Sequence, residues 1–93
     1  MTTKIPWIIG TSWKMNKLRV DAVAFSNAVK ASSVAQTYAV QPSVIPPFPC
    51  IADVAGLLKG ARVKIGAHNM HWEDDGAWTG ETSAPMIMDC GAT

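Results

Sequence analysis

Lys14 stands in the run Gly10-Thr11-Ser12-Trp13-Lys14-Met15-Asn16, directly after the apolar stretch Trp7-Ile8-Ile9. An ammonium fixed at the end of a strand can pair with an anion such as phosphate. It can also steady negative charge that develops on an oxygen during reaction. By residue type alone, a solvated surface lysine is the commoner outcome. His68 and His71 are candidates by residue type, although a histidine is more often a hydrogen-bonded structural ring. Glu73-Asp74-Asp75 reads as a solvated loop face with no general base in it. Cys50 and Cys90 match no metal or redox spacing and read as two reduced, partly buried thiols. No metal site and no cofactor is expected.

Charge narrows the partners. The 8 basic and 7 acidic residues give a formal net charge of +1, and no basic block is present. Neither a nucleic acid nor an anionic membrane is therefore expected as a partner, and any phosphate recognition must come from a few placed groups. An apolar fraction of 48% with 16% charged residues suits a globular chain with a buried core. The stretch Met1 to Gly10 is too short in its apolar part for a signal peptide or a membrane span, so the expected location is cytoplasmic.

The elements that must position these groups alternate. Trp7 to Gly10 reads as a buried strand extending toward Trp13, and Lys14 to Lys17 as a polar turn. Ala22, Phe25 and Val29 at helical spacing predict an amphipathic helix over 20–31, broken at Ser32-Ser33. Val40 to Ile45 is a second strand, stopped by Pro46-Pro47. Pro49 suits the first turn of the next helix. Ile51, Val54, Ala55 and Leu58 form that helix's buried stripe, and Gly60 suits its carboxyl cap. Val63, Ile65 and Ala67 alternate with Lys64, Gly66 and His68 as a third strand. A polar, Trp-containing loop runs over 70–80, followed by a short helix over 84–89 that Gly91 ends. Alternation of this kind implies a parallel α/β sheet with right-handed crossovers. Three strands and two full helices leave apolar strand surface and open edges uncovered.

Two spaced motifs carry a family resemblance. The run from Gly10 to Asn16 resembles the first-strand signature of triosephosphate isomerases. Gly66-Ala67-His68-Asn69, followed by Gly76-Ala77-Trp78-Thr79-Gly80-Glu81, resembles the third strand and third loop of the same family. Ser83 through Asp89-Cys90-Gly91-Ala92-Thr93 continues it, and Pro46-Pro47 matches the end of the second strand. The implied fold is a TIM (β/α)8 barrel, which typically needs ~250 residues. Residues 1–93 would then be the N-terminal part of a single barrel domain: three βα units plus the start of the fourth, incomplete as given.

The resemblance also implies a chemistry. The family interconverts aldose and ketose phosphates through an enediolate, and triosephosphate isomerase is itself the standard illustration of a carboxylate base working with a neutral imidazole. Lys14 is the implied catalytic and substrate-binding residue here, acting electrostatically, with Ser12 beside it in the substrate site. Met15, Asn69, Trp78, Thr79 and Glu81 are the implied dimer-interface residues, the 70–81 loop inserting into a second subunit near its Ser12. Glu81 is expected to pair with an arginine later in the family sequence. Neither histidine matches the family's catalytic one, and His68 stands where glutamine or another polar residue is usual. The catalytic imidazole and carboxylate are expected downstream, so the 93-residue chain is expected to be inactive alone.

Ser12 departs from the family's asparagine. Thr11-Ser12-Trp13-Lys14-Met15-Asn16 and Asn69-Met70-His71-Trp72 are similar to a branch that acts on erythrulose phosphate. The substrate that the resemblance implies is a small phosphorylated sugar of three carbons (glyceraldehyde 3-phosphate/dihydroxyacetone phosphate) or four (L-erythrulose 1-phosphate/D-erythrulose 4-phosphate). The competing reading is a short non-catalytic interaction module that pairs with a full-length isomerase through the Trp78–Glu81 loop.

Overall fold

The computed structural model describes residues 6–93. The reading of the amino-terminal stretch as carrying no leader falls partly on residues 1–5, outside the described residues.

Three strands, β1 (Trp7–Ser12), β2 (Val40–Ile45) and β3 (Lys64–Ile65), form one parallel sheet in the order β1-β2-β3. Helices α1 (Arg19–Ala31) and α2 (Phe48–Leu57) connect them, and α3 (Ala84–Asp89) follows the long loop after β3. The β1–β2 register runs from Trp7 opposite Val40 to Ser12 opposite Ile45. This is the expected α/β arrangement: three successive βα units of an incomplete α/β barrel.

The core lies between β2, β3 and the two helices. Val44, Val63 and Ile65 meet Ile51 and Val54 of α2 and Leu58 just beyond it, with Ala22 of α1 and Trp13 at one end. The helical stripe expected on α2 is therefore the buried one. On α1, Ala22 and Ser26 are buried, and Phe25 and Val29 are partly so. Leu18 N–H donates to Asp21 Oδ2 at 2.9 Å, which satisfies an amino-terminal group of α1. The break after α1 is a short 3-10 turn (Ser33–Gln36). Ser32 Oγ opens it by accepting from Val34 N–H at 3.0 Å.

Three expectations need correction. β1 is not buried: all six of its residues are exposed. It is an edge strand, and the two long helices pack on each other and on β2 and β3, leaving β1 uncovered. Cys50 is buried but Cys90 is exposed; both are free thiols. The third strand spans only two residues, and proline explains its length. In a parallel ladder, alternate residues of a strand bond to opposite neighbours. Trp13 N–H donates to Ile45 O while Gly66 N–H donates to Val44 O, so the even-numbered residues of β2 face β3. Two of those positions, Pro42 and Pro46, have no N–H. Only Val44 can complete the ladder. Gln41 Nε2 partly replaces the donor missing at Pro42, reaching Arg62 O at 3.5 Å.

Arg62 fastens the opposite, amino-terminal end of the sheet. Its guanidinium donates to the carbonyls of Thr37, Tyr38 and Val40 and stacks 4.8 Å from the Tyr38 ring. Stability features at that end leave the carboxyl ends of the strands for chemistry. At the far side of β3, Thr93 Oγ1 accepts from Ile65 N–H at 2.9 Å and Thr93 N–H donates to Ile65 O at 2.8 Å. Among the described residues, no helix is long and apolar enough to cross a membrane.

Candidate functional site

Parallel strands place the residues after β1, β2 and β3 at one end of the sheet. Ser12 closes β1 opposite Ile45, Lys14 lies two residues further, and Pro46 and His68 follow β2 and β3. Ser12, Lys14, Met15 and His68 are exposed there, whereas Trp13 is buried. The structure thus brings Ser12 and Lys14 to the expected rim.

Lys14 has φ 57, in the left-handed region. For a residue with a Cβ this conformation is costly and persists only where neighbours over-determine it. Trp13 supplies the anchor. Its N–H donates to Ile45 O at 3.1 Å, and its carbonyl accepts from Asn16 Nδ2 at 2.8 Å. The Trp13 ring stands edge-on to Phe25 at 5.1 Å. Lys17, also left-handed at φ 77, places its ammonium 5.7 Å from both ring centroids, within cation–π range. Lys14 therefore leaves the sheet from a residue pinned on both sides, with its own side chain in solvent. Sequence reasoning assigned no role to Asn16 or Lys17. A signal for Asn16 was available, because asparagine in a tight turn commonly bonds to nearby backbone.

The second group of expected site residues sits on the loop between β3 and α3. Trp78 O accepts from Glu81 N–H at 3.0 Å, and Gly80, the third residue of that turn, has φ 88. This is the turn geometry that calls for glycine at its third position. Thr79 occupies the second position and is exposed at the tip. Trp78 packs back onto His71 at 4.7 Å, and His71 stacks on Trp72 at 4.2 Å. His71 is buried and ties the loop's two legs together. Its N–H donates to Thr82 O at 2.9 Å, and its Nδ1 accepts from Glu73 N–H at 3.1 Å. At Gly76, φ 132 and a Cβ position 2.9 Å from Trp78 Nε1 exclude any other residue without rearrangement. Asn69 Oδ1 accepts from Met70 N–H at 2.8 Å. Met15, Asn69, Trp78, Thr79 and Glu81 are all solvent-exposed. The rim group and the loop group share no hydrogen bond among the described residues.

A parallel βα repeat with a left-handed lysine at the carboxyl end of its first strand has the form of the first units of an α/β barrel. The profile of the triosephosphate isomerase family matches residues 7–93. The chain is 51% identical over 82 residues to the L-erythrulose-1-phosphate isomerase of Brucella abortus biovar 1 (strain 9-941), covering 88% of this chain and 32% of that protein. It is 46% identical over 88 residues to the L-erythrulose-1-phosphate isomerase of Mesorhizobium japonicum, covering 95% and 35%. With that of Rhizobium rhizogenes it shares 46% over 90 residues, covering 97% and 34%. The chain belongs to the triosephosphate isomerase family. It spans about a third of the length of these relatives.

Proposed function

We propose that this chain supplies the first three βα units, and with them the electrostatic lysine, of an aldose–ketose isomerase of small sugar phosphates. The favoured substrate is L-erythrulose 1-phosphate, converted to D-erythrulose 4-phosphate through an enediolate. The observation that carries the reading is Lys14, held left-handed at the carboxyl end of β1 by Trp13 and Asn16. From that held backbone the Lys14 ammonium reaches out to attract the substrate phosphate and to stabilise the oxyanion of the enediolate. Ser12, one residue before Trp13, presents a hydroxyl where the family has a longer amide, which leaves room for a longer sugar. Support for the four-carbon substrate comes from this residue and from the names of the relatives.

Proton transfer needs a carboxylate and a neutral imidazole. In this proposal both come from βα units that follow Thr93 in the active polypeptide. The exposed tip at Thr79 inserts into a second subunit beside its Ser12, making the enzyme a homodimer through the 70–81 loop. In-frame coding sequence after codon 93 for a glycine-histidine-serine-glutamate run would support this arrangement; an immediate stop would count against it.

Kinetics on that complete polypeptide test the function. Lys14→Ala is expected to lower kcat/KM by roughly 100- to 1,000-fold, the scale of losing one preorganised charge-stabilising group. Activity retained in that variant would sink the assignment of Lys14. Wild-type enzyme is expected to turn over L-erythrulose 1-phosphate in preference to glyceraldehyde 3-phosphate, and the reverse preference would sink the four-carbon reading.

A further inference from the structure

Ile45 ends β2, and Pro46 and Pro47 follow it. For two residues beyond Ile45 the backbone therefore has no N–H to offer a neighbouring strand. The junction can offer only carbonyls, and that of Ile45 has two acceptor lone pairs. Trp13 N–H, from the segment after β1, uses it at 3.1 Å. His68 Nε2, from the segment after β3, lies 2.9 Å from the same oxygen. A ring nitrogen this close to a carbonyl oxygen must carry the proton. Neutral His68 is thus the Nε2–H tautomer, with Nδ1 left as an acceptor.

One carbonyl therefore joins the ends of all three strands, and Lys14 comes directly after one of its two donors. We propose that His68 is a positioning residue for Lys14: by fixing the Ile45 carbonyl it holds Trp13, and through Trp13 the left-handed backbone from which Lys14 projects. The functional half of this proposal rests on Lys14 being the electrostatic group of an isomerase. The geometric half does not. Protonating His68 leaves Nε2–H in place, so the clamp works in both charge states. A glutamine amide can also make the bond; leucine cannot.

The geometry is tested by NMR on the 93-residue chain, at concentrations below the onset of self-association. Ring-nitrogen shifts are expected to report the Nε2–H tautomer, and the amide–Hα coupling of Lys14 its positive φ. In His68→Leu, the Lys14 coupling is expected to move toward an ordinary extended value. Trp13 N–H is expected to exchange faster relative to Val54 N–H in α2, which reports global opening. His68→Gln is expected to retain both wild-type signals. An Nδ1–H tautomer in the wild type, or an unchanged Lys14 coupling in His68→Leu, would overturn the proposal. If His68→Leu fails to fold, the wild-type tautomer and the His68→Gln signals still decide it.

The functional half is tested on the complete polypeptide. His68→Leu is expected to raise KM and to lower kcat/KM by roughly 10- to 100-fold, as for a displaced catalytic group. His68→Gln is expected to restore both with no change in the pH profile. A limb of the profile that disappears in His68→Gln would overturn the positioning role in favour of direct proton transfer. Activity unaffected by Lys14→Ala would strike the isomerase reading instead, through a different variant.

Discussion

Two buried side-chain polar atoms in the described residues have no hydrogen-bond partner: Trp13 Nε1 and Ser26 Oγ. Trp13 is retained by what the rest of it does, through its backbone and its contact with Phe25. Ser26 has no such compensation. It is fully buried on α1, where its hydroxyl forgoes water and serine is a weaker helix former than alanine. Ser26→Ala is expected to raise stability by about 1 kcal/mol, measured by urea unfolding of the same chain; destabilisation would mean that the hydroxyl has a partner. Gly91 illustrates the opposite constraint. It has φ 107, and an added Cβ would come 2.6 Å from Ala55 Cβ on α2. Gly91→Ala is therefore expected to cost roughly 1–3 kcal/mol through backbone strain and overpacking, and an unchanged unfolding midpoint would rule that out. Motif reading located Lys14 because the residue types around it are distinctive. It could not reach the left-handed backbone at Lys14 and Lys17, since nothing in a lysine announces positive φ. The pinning is written in Trp13 and Asn16 instead.

Helix positions were largely legible because their signal is periodic. The stripes on α1 and α2 repeat at helical spacing, and both helices lie within two residues of where the spacing puts them. β3 was harder. Its apolar alternation over Val63, Ile65 and Ala67 is real, and Val63 and Ile65 are buried. The length of the strand, however, depends on donors in another strand, and Pro42 and Pro46 remove them. The α1–α2 pairing adds one long-range ion pair that no local pattern encodes: Arg19 Nε donates to Asp53 Oδ2 at 2.7 Å. That hydrogen bond, more than the accompanying charge attraction, holds the Asp53 carboxyl below its ordinary value. Its contribution is present above the unfolded pKa of an aspartate, about 3.9, and disappears as pH falls through the lower folded value. Both groups lie at the surface, so salt screens the effect. Asp53→Asn is expected to flatten the fall in thermal midpoint between neutral pH and about pH 3 without altering the acid limit. Melts in which wild type and variant diverge most at low pH would contradict the linkage.

At the scale of the whole molecule, the sequence indicated that three parallel strands and their helices would leave apolar surface uncovered, but not which strand would bear it. The register decides. β2 lies between its neighbours, Thr93 bonds along the open side of β3, and among the described residues no strand lies on the outer edge of β1. Trp7, Ile8 and Ile9 are 77%, 72% and 58% exposed. Alternate strand residues point to opposite faces, so apolar side chains stand on both faces of β1. An exposed apolar strand with a free edge is a template for pairing with another chain. In the family's barrel the same edge is closed by further strands of the domain. The 93-residue chain by itself is therefore expected to self-associate, with light scattering that rises with concentration and no measurable isomerase activity. Ile8→Lys places a charge on the free edge while leaving the core residues and Lys14 untouched. It is expected to lower the scattering at a given concentration while the far-ultraviolet circular dichroism stays that of the wild type. A wild-type chain that sediments as a stable monomer at all concentrations would show instead that β1 is covered in solution.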